Sequence, residues 1–212
     1  MKLEKLLAGA AVLPVVTIER LEDAVPVARA LVNAGLPAIE IVLRTACAPA
    51  AIRRIRYEIP SASVGAGTIT TTTDVEIAQG AGAQFLVSPG ITGRLLDTML
   101  GSGLPTLPGV STASGAVELL ERGIHVAKFF PAAAAGGPDA LRSLRGPFPD
   151  LAFCPTGGIN QENAYDYLTL PNVVCVGGSW MVPADAIEAK DWQRIQSLAE
   201  RAATLAASHS PR

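Results

Sequence analysis

One lysine stands among apolar residues in the run His125-Val126-Ala127-Lys128-Phe129-Phe130-Pro131. As a half-buried strand the run alternates, so Val126, Lys128 and Phe130 share one face and Ala127 and Phe129 the other. An ammonium on that face loses hydration. Three fates compete for it: snorkelling to solvent at a strand end, neutralisation in a buried ion pair, or service as an amine nucleophile. A nucleophilic amine must be uncharged, and at an ordinary pKa of about 10.4 only about 1 lysine in 2,500 is neutral at pH 7. Burial lowers such a pKa by up to roughly 3–5 units, enough to make attack on a carbonyl practical.

Ala38-Ile39-Glu40-Ile41-Val42-Leu43-Arg44 alternates in the same way. Its aliphatic face, Ile39, Ile41 and Leu43, suits packing under helices, which turns Glu40, Val42 and Arg44 inward. Glu40 is either a buried carboxylate kept by a neutralising cation or a proton carrier. Arg44 offers a planar fork for a carboxylate, with the Thr68 hydroxyl to share it; a rim salt bridge is the plain alternative. Two glycine pairs, in Thr156-Gly157-Gly158 and Gly177-Gly178-Ser179, let backbone N–H groups approach an anion such as phosphate, although each pair alone also fits a turn.

These residues need a frame, and the apolar pattern supplies one. Strands are expected at Leu13 to Ile18, Ala38 to Arg44, Ser63 to Thr68, Phe85 to Pro89, Pro105 to Val110, His125 to Phe130, Leu151 to Thr156 and Val173 to Val176. Helical spacing fills the intervals: Glu19 to Gly35 (with Pro26 near its first turn), Pro49 to Glu58, Thr73 to Gly80, Thr92 to Leu100, Thr112 to Arg122, Pro138 to Leu144, Asn160 to Leu168 and Ala184 to Ala207. Strands alternating with helices imply parallel strands and right-handed crossovers. Eight units predict an α/β fold, a closed (β/α)8 TIM barrel forming a single domain over residues 1–212 with a short N-terminal helix. An open doubly wound sheet is the alternative, but no phosphate-loop glycine pattern follows the first strand.

A barrel puts chemistry at the carboxyl ends of its strands, where Arg44, Thr68, Ser88-Pro89, Ser111-Thr112, Thr156-Gly157-Gly158 and Gly177-Gly178-Ser179 gather. Strands two and six lie opposite, so Glu40 and Lys128 approach across the centre. A directly bonded carboxylate favours the ammonium, so Glu40 is expected to reach the lysine mainly through water or substrate. The final two loops are a frequent phosphate site in such barrels. On the residues alone, a barrel that isomerises or epimerises a sugar phosphate also fits, with Glu40 as base and Lys128 as a fixed charge. So does a non-catalytic phospho-ligand barrel.

Composition narrows the field. A chain of 212 residues, 49% hydrophobic and 17% charged, is long enough to bury a sizeable core. A formal charge of -2 without basic runs argues against nucleic acid and anionic membrane as partners. Cys47, Cys154 and Cys175 have no close pairing, and His125 and His209 lie far apart, so neither a disulfide framework nor a metal site is expected, and a cytoplasmic setting fits. Met1 to Lys5 followed by Leu6 to Val16 superficially resembles an export leader. Pro14 interrupts that run and no convincing cleavage site follows, so a short helix and a first strand account for the same letters.

Several strings in order carry a resemblance: Glu40-Ile41-Val42-Leu43-Arg44-Thr45, Val64-Gly65-Ala66-Gly67-Thr68, Ser88-Pro89-Gly90 and Lys128-Phe129-Phe130-Pro131-Ala132. Phe153-Cys154-Pro155-Thr156-Gly157-Gly158-Ile159 and Gly177-Gly178-Ser179-Trp180 complete the set. From about Val12 to Leu198 the chain resembles the 2-keto-3-deoxy-6-phosphogluconate (KDPG) aldolase family, which also often cleaves 4-hydroxy-2-oxoglutarate. The resemblance implies a class I aldolase, usually a homotrimer, with no metal or other cofactor, acting on a phosphorylated keto-sugar acid and releasing pyruvate. It implies Lys128 as the Schiff-base residue and Glu40 as general acid/base. Arg44 and Thr68 would hold the pyruvate carboxylate, Pro89 and Phe130 would shape its pocket, Thr156 would meet a substrate hydroxyl, and Gly157, Gly158, Gly178 and Ser179 would take the phosphate. Arg44-Thr45 looks like the phosphogluconate branch of the family rather than the phosphogalactonate branch. Two departures stand out: Ala133 where the family commonly has glutamate, and Val42 where threonine is usual.

Overall fold

Apolar residues at every second position build short strands here, and the helices between them return the chain to the same end. The computed structural model of the protein describes residues 11–207. The strands are β1 (Val12–Val16), β2 (Ala38–Val42), β3 (Ser63–Gly67), β4 (Leu86–Val87), β5 (Thr106–Leu107), β6 (Gly109–Val110), β7 (Val126–Phe129), β8 (Ala152–Pro155) and β9 (Val176–Gly178). The helices are α1 (Ala24–Asn33), α2 (Ala48–Glu58), α3 (Thr72–Gly80), α4 (Gly93–Gly101), α5 (Ala113–Glu121), α6 (Gly137–Arg145), α7 (Ala164–Leu168), α8 (Ala184–Glu188) and α9 (Trp192–Ala207).

Among the described residues every hydrogen-bonded strand pair is parallel. One sheet runs β5-β4-β3-β2-β1-β9 and a second runs β6-β7-β8. Two single parallel bridges, Phe153 with Val173 and Thr156 with Gly177, tie β8 to the segment of β9. Threonine hydroxyls begin three of the helices that follow strands: Thr71 accepts from Asp74 N–H, Thr92 from Leu95 and Thr112 from Gly115. Burial pushes the Asp74 carboxyl up, but hydrogen bonds from Thr70 and Thr71 outweigh it and hold the group below its usual range.

The strands separate two layers of core. Leu13, Ala38, Phe85, Val87, Leu107, Val126, Cys154 and Cys175 pack together inside. Their alternating neighbours, among them Val12, Ile39, Leu86, Ala127, Phe129, Phe153 and Val176, pack with the helices. Phe129 and Phe153 meet edge to face with ring centroids 6.0 Å apart. The two faces expected of β7 and β2 are thus the two layers of the molecule.

The strand pattern departs from expectation in two places. The run Pro105 to Val110 is two short strands, β5 and β6, because Pro108 has no N–H to give a ladder; its carbonyl accepts Lys128 N–H at 2.9 Å. The last strand is not Val173 to Val176 but Val176–Gly178, where the ladder to Val12, Leu13 and Pro14 engages. Gly177 and Gly178, expected to lie just past the strand, are inside it. A Cβ on Gly177 would lie 2.3 Å from Thr156 Oγ1, and one on Gly178 2.0 Å from Trp180 Cζ3, so bulkier side chains occupy the space glycine leaves. The stretch Glu19 to Gly35 divides into a 3-10 turn at Leu21–Asp23 and α1, with Pro26 tolerated in the first turn of α1. The last helical stretch divides at Lys190, whose φ is 56°. The expected N-terminal helix lies outside the described residues.

Phe85 fills the interior because β3 yields to it: a Cβ on Gly65 would stand 2.2 Å from the ring. Gly65→Ala is expected to cost about 1–3 kcal/mol by overpacking. Gly80→Ala, at a helical position with nothing within 4 Å, should be neutral or stabilise by up to about 1 kcal/mol. Denaturant unfolding of the two variants checks this, and equal midpoints would contradict it.

Candidate functional site

Lys128 on β7 and Glu40 on β2 belong to different sheets and meet in the interior. Lys128 is 5% exposed and Glu40 1%. The lysine Nζ donates to Glu40 Oε1 at 3.1 Å and Oε2 at 3.4 Å. Register fixes both ends: Lys128 lies between Gly109 and Cys154, and Glu40 between Val15 and Gly65. Nζ also stands 5.5 Å from the centroid of the Phe130 ring, within reach of a cation–π attraction. The expectation that the carboxylate would reach the amine mainly through water or substrate is corrected: the contact is direct. Two opposite charges taken out of water neutralise each other most cheaply by touching, since either one alone would be stranded.

β3 leaves room for that carboxylate. A Cβ on Gly67 would fall 2.2 Å from Glu40 Oε1, 2.5 Å from Cγ and 2.7 Å from Cδ. Reading the sequence gave Gly67 no role; a glycine inside a strand, next to another at Gly65, was the available sign of close approach by a neighbour.

Past the end of β2 the exposed Arg44 donates from Nε to Thr68 Oγ1 at 3.0 Å. Among the described residues Arg44 forms no ion pair, which removes the rim salt bridge as its explanation and leaves the rest of the guanidinium fork for an acidic group. Thr68 has φ 59°, a left-handed backbone that a β-branched residue rarely adopts. The strain is held on both sides, by Leu43 N–H to Gly67 O at 2.9 Å and Ile69 N–H to Val87 O at 3.1 Å. Pro89 and Phe130 wall a cleft of about 350 Å³ that continues to Ser111 and Thr112; Lys128, Glu40, Arg44 and Thr68 do not line it.

Thr156, 6% exposed, follows β8, and its bridge to Gly177 sets the Gly157-Gly158 turn beside the glycines at the end of β9. Gly157 and Gly158 have φ of 101° and 76°, conformations that favour glycine. Gly178 carries the Trp180 ring against its backbone, and Ser179 beyond it is exposed. Trp180 is a further residue to which the sequence reading gave no function. Cys154 and Cys175 touch in the inner core, and the contact between the thiols, then burial, pushes Cys175 well above the usual thiol range. Cys175 therefore stays a protonated, inert thiol. Among the described residues no cluster of three or more His, Cys, Asp and Glu side chains could hold a metal ion, and no helix is long and apolar enough to cross a membrane.

The arrangement therefore comprises a buried amine touching a carboxylate, an arginine fork braced by a strained threonine, and a glycine turn beside the glycine end of β9. Comparison with known proteins bears on what it does. The family model "KDPG and KHG aldolase" matches residues 3–198. The 2-dehydro-3-deoxy-phosphogluconate aldolase of Dickeya dadantii is 49% identical, covering 94% of this chain and 93% of its own. The KHG/KDPG aldolase of Escherichia coli K12 is 48% identical over the same shares. Among solved structures, a KDPG aldolase from Legionella pneumophila, with pyruvate captured at low pH as a covalent carbinolamine, superposes with a TM-score of 0.93 at 43% identity, covering 96% of this chain and 98% of that one. A Zymomonas mobilis KDPG aldolase with 3-phosphoglycerate gives a TM-score of 0.89 at 43% identity, covering 94% of each chain.

The buried pair makes a stability prediction independent of activity. Lys128→Met strands the Glu40 carboxylate and is expected to cost about 3–5 kcal/mol. Lys128→Met/Glu40→Leu replaces both charges by apolar groups and should recover most of that loss. Equilibrium unfolding in urea reads the cycle, and a double variant no more stable than the single one would contradict the pairing.

Proposed function

The chain belongs to the KDPG and KHG aldolase family, and on that footing we propose that it cleaves 2-keto-3-deoxy-6-phosphogluconate to pyruvate and glyceraldehyde 3-phosphate through an imine on Lys128. The observation that carries the reading is the buried Lys128 Nζ with the Glu40 carboxylate at 3.1 Å. The ammonium passes its proton to Glu40, and the neutral amine attacks the C2 keto carbon. Glu40 then protonates the carbinolamine hydroxyl, which leaves as water, and a protonated imine remains. Next Glu40 accepts the proton of the C4 hydroxyl as the C3–C4 electrons move into the imine. Glyceraldehyde 3-phosphate departs, leaving an enamine. Glu40 returns its proton to C3, and water releases pyruvate and the amine. Atoms and charges balance with no added reductant or oxidant.

The other residues take roles that suit their chemistry. The Arg44 fork and Thr68 hydroxyl hold the substrate carboxylate, and their mutual hydrogen bond pre-aims them. Pro89 and Phe130 wall the pyruvate end. Thr156 meets a hydroxyl of the chain being cleaved, and Gly157, Gly158, Gly178 and Ser179 receive the phosphate on backbone N–H groups. Cleavage of 4-hydroxy-2-oxoglutarate to pyruvate and glyoxylate uses the same amine and acid and differs only in leaving the phosphate-binding glycines unused; the Escherichia coli relative carries both activities in its name.

The same reading treats the two sheets as arcs of one closed (β/α)8 barrel. β5 and β6 count as one strand interrupted by Pro108, and the bridge of Thr156 to Gly177 joins β8 to β9. It takes the whole chain as one domain, assembled as a homotrimer in the cytoplasm.

A coupled assay for pyruvate release tests this. The protein should turn over 2-keto-3-deoxy-6-phosphogluconate, Lys128→Ala should abolish turnover, and Glu40→Gln should lower kcat by roughly 10²–10⁴-fold. Turnover surviving in Lys128→Ala would remove the imine from the account.

A further inference from the structure

We propose that Gly67 is a positioning residue for the reaction: by carrying no side chain it fixes where the Glu40 carboxylate stands beside Lys128. The inference rests on Glu40 serving as the proton carrier. Gly67 is buried at the end of β3, paired in register with Val42, two residues along β2 from Glu40. The three nearest atoms to a Cβ built there all belong to the Glu40 side chain: Oε1 at 2.2 Å, Cγ at 2.5 Å and Cδ at 2.7 Å. Real Cβ atoms do not come so close. Because three atoms of the side chain are involved, turning the carboxylate about its last bond does not relieve the contact, and the whole group must move.

Glu40 has little freedom to retreat. It is 1% exposed, and its oxygens already lie 3.1 and 3.4 Å from Lys128 Nζ. A methyl group at position 67 therefore shifts the acid relative to the amine and to any carbon bound there. A displacement near 1 Å at a proton-transferring group costs on the order of 10²-fold in rate. The Arg44–Thr68 clamp belongs to other side chains, so the loss should fall on kcat rather than KM. Gly80, at the end of α3, is a control: a Cβ there meets nothing within 4 Å.

The test is a double-mutant cycle on purified protein, with pyruvate release as readout. Gly67→Ala should lower kcat about 100-fold with KM changed less than about threefold, and in the Glu40→Gln chain the same change should cost less than about threefold, because no proton carrier remains to be misplaced. Gly80→Ala should leave kcat within about threefold. A Gly67→Ala loss of the same size in both backgrounds, or a Gly67→Ala chain with unchanged kcat, overturns the proposal. If Glu40→Gln itself retains full kcat, the role of Glu40 fails and the inference falls with it, an outcome distinct from the other two. Should Gly67→Ala not fold, Gly67→Ala/Glu40→Ala should melt within a few degrees of Glu40→Ala, since the colliding atoms are gone. A double variant as unfolded as Gly67→Ala overturns the proposal.

Discussion

Two opposite charges held out of water at 3.1 Å set the terms for the rest of the molecule. Lys128 and Glu40 sit on strands of different sheets, so the contact exists because both sheets contribute to one inner cluster. Such a pair adds little net stability compared with apolar packing. What it provides is an amine and a carboxylate already in contact, inside a wall of Leu13, Ala38, Val126 and their neighbours. The catalytic reading and the packing cost thus share one cause.

The interior accommodates its polar groups by subtraction. Glu40 stands where Gly67 has no side chain, Thr156 where Gly177 has none, and Phe85 where Gly65 has none. In each case a glycine on one strand makes room for the working or packing side chain of a neighbouring strand. These glycines keep negative φ, so their value lies in missing volume; Gly157 and Gly158, by contrast, are used for backbone freedom. The rim follows another rule. Thr68 accepts a left-handed backbone, and its hydroxyl receives Arg44 Nε.

Much of this was legible in the letters. Period-two alternation put Lys128 and Glu40 on inward faces, because apolar neighbours can tolerate a charge only where another charge answers it. Motif order pointed to the family from Lys128-Phe129-Phe130-Pro131 and Thr156-Gly157-Gly158. Three things were not legible. The direct lysine–glutamate contact depends on a distance across the interior, which alternation does not specify. The break at Pro108 and the shift of the last strand to Val176–Gly178 depend on which N–H groups find partners on β7 and β1. The role of Gly67 depends on the volume of a side chain 27 positions away in the chain, which no local pattern records.

The central claim is that Lys128 forms a covalent bond to the keto carbon of its substrate. Sodium borohydride added to the protein in the presence of pyruvate, followed by proteolysis and mass spectrometry, tests it most directly. The expected result is a reduced pyruvate adduct confined to the peptide containing Lys128, with loss of activity in proportion to labelling. An unmodified protein, or an adduct on another lysine, would contradict it.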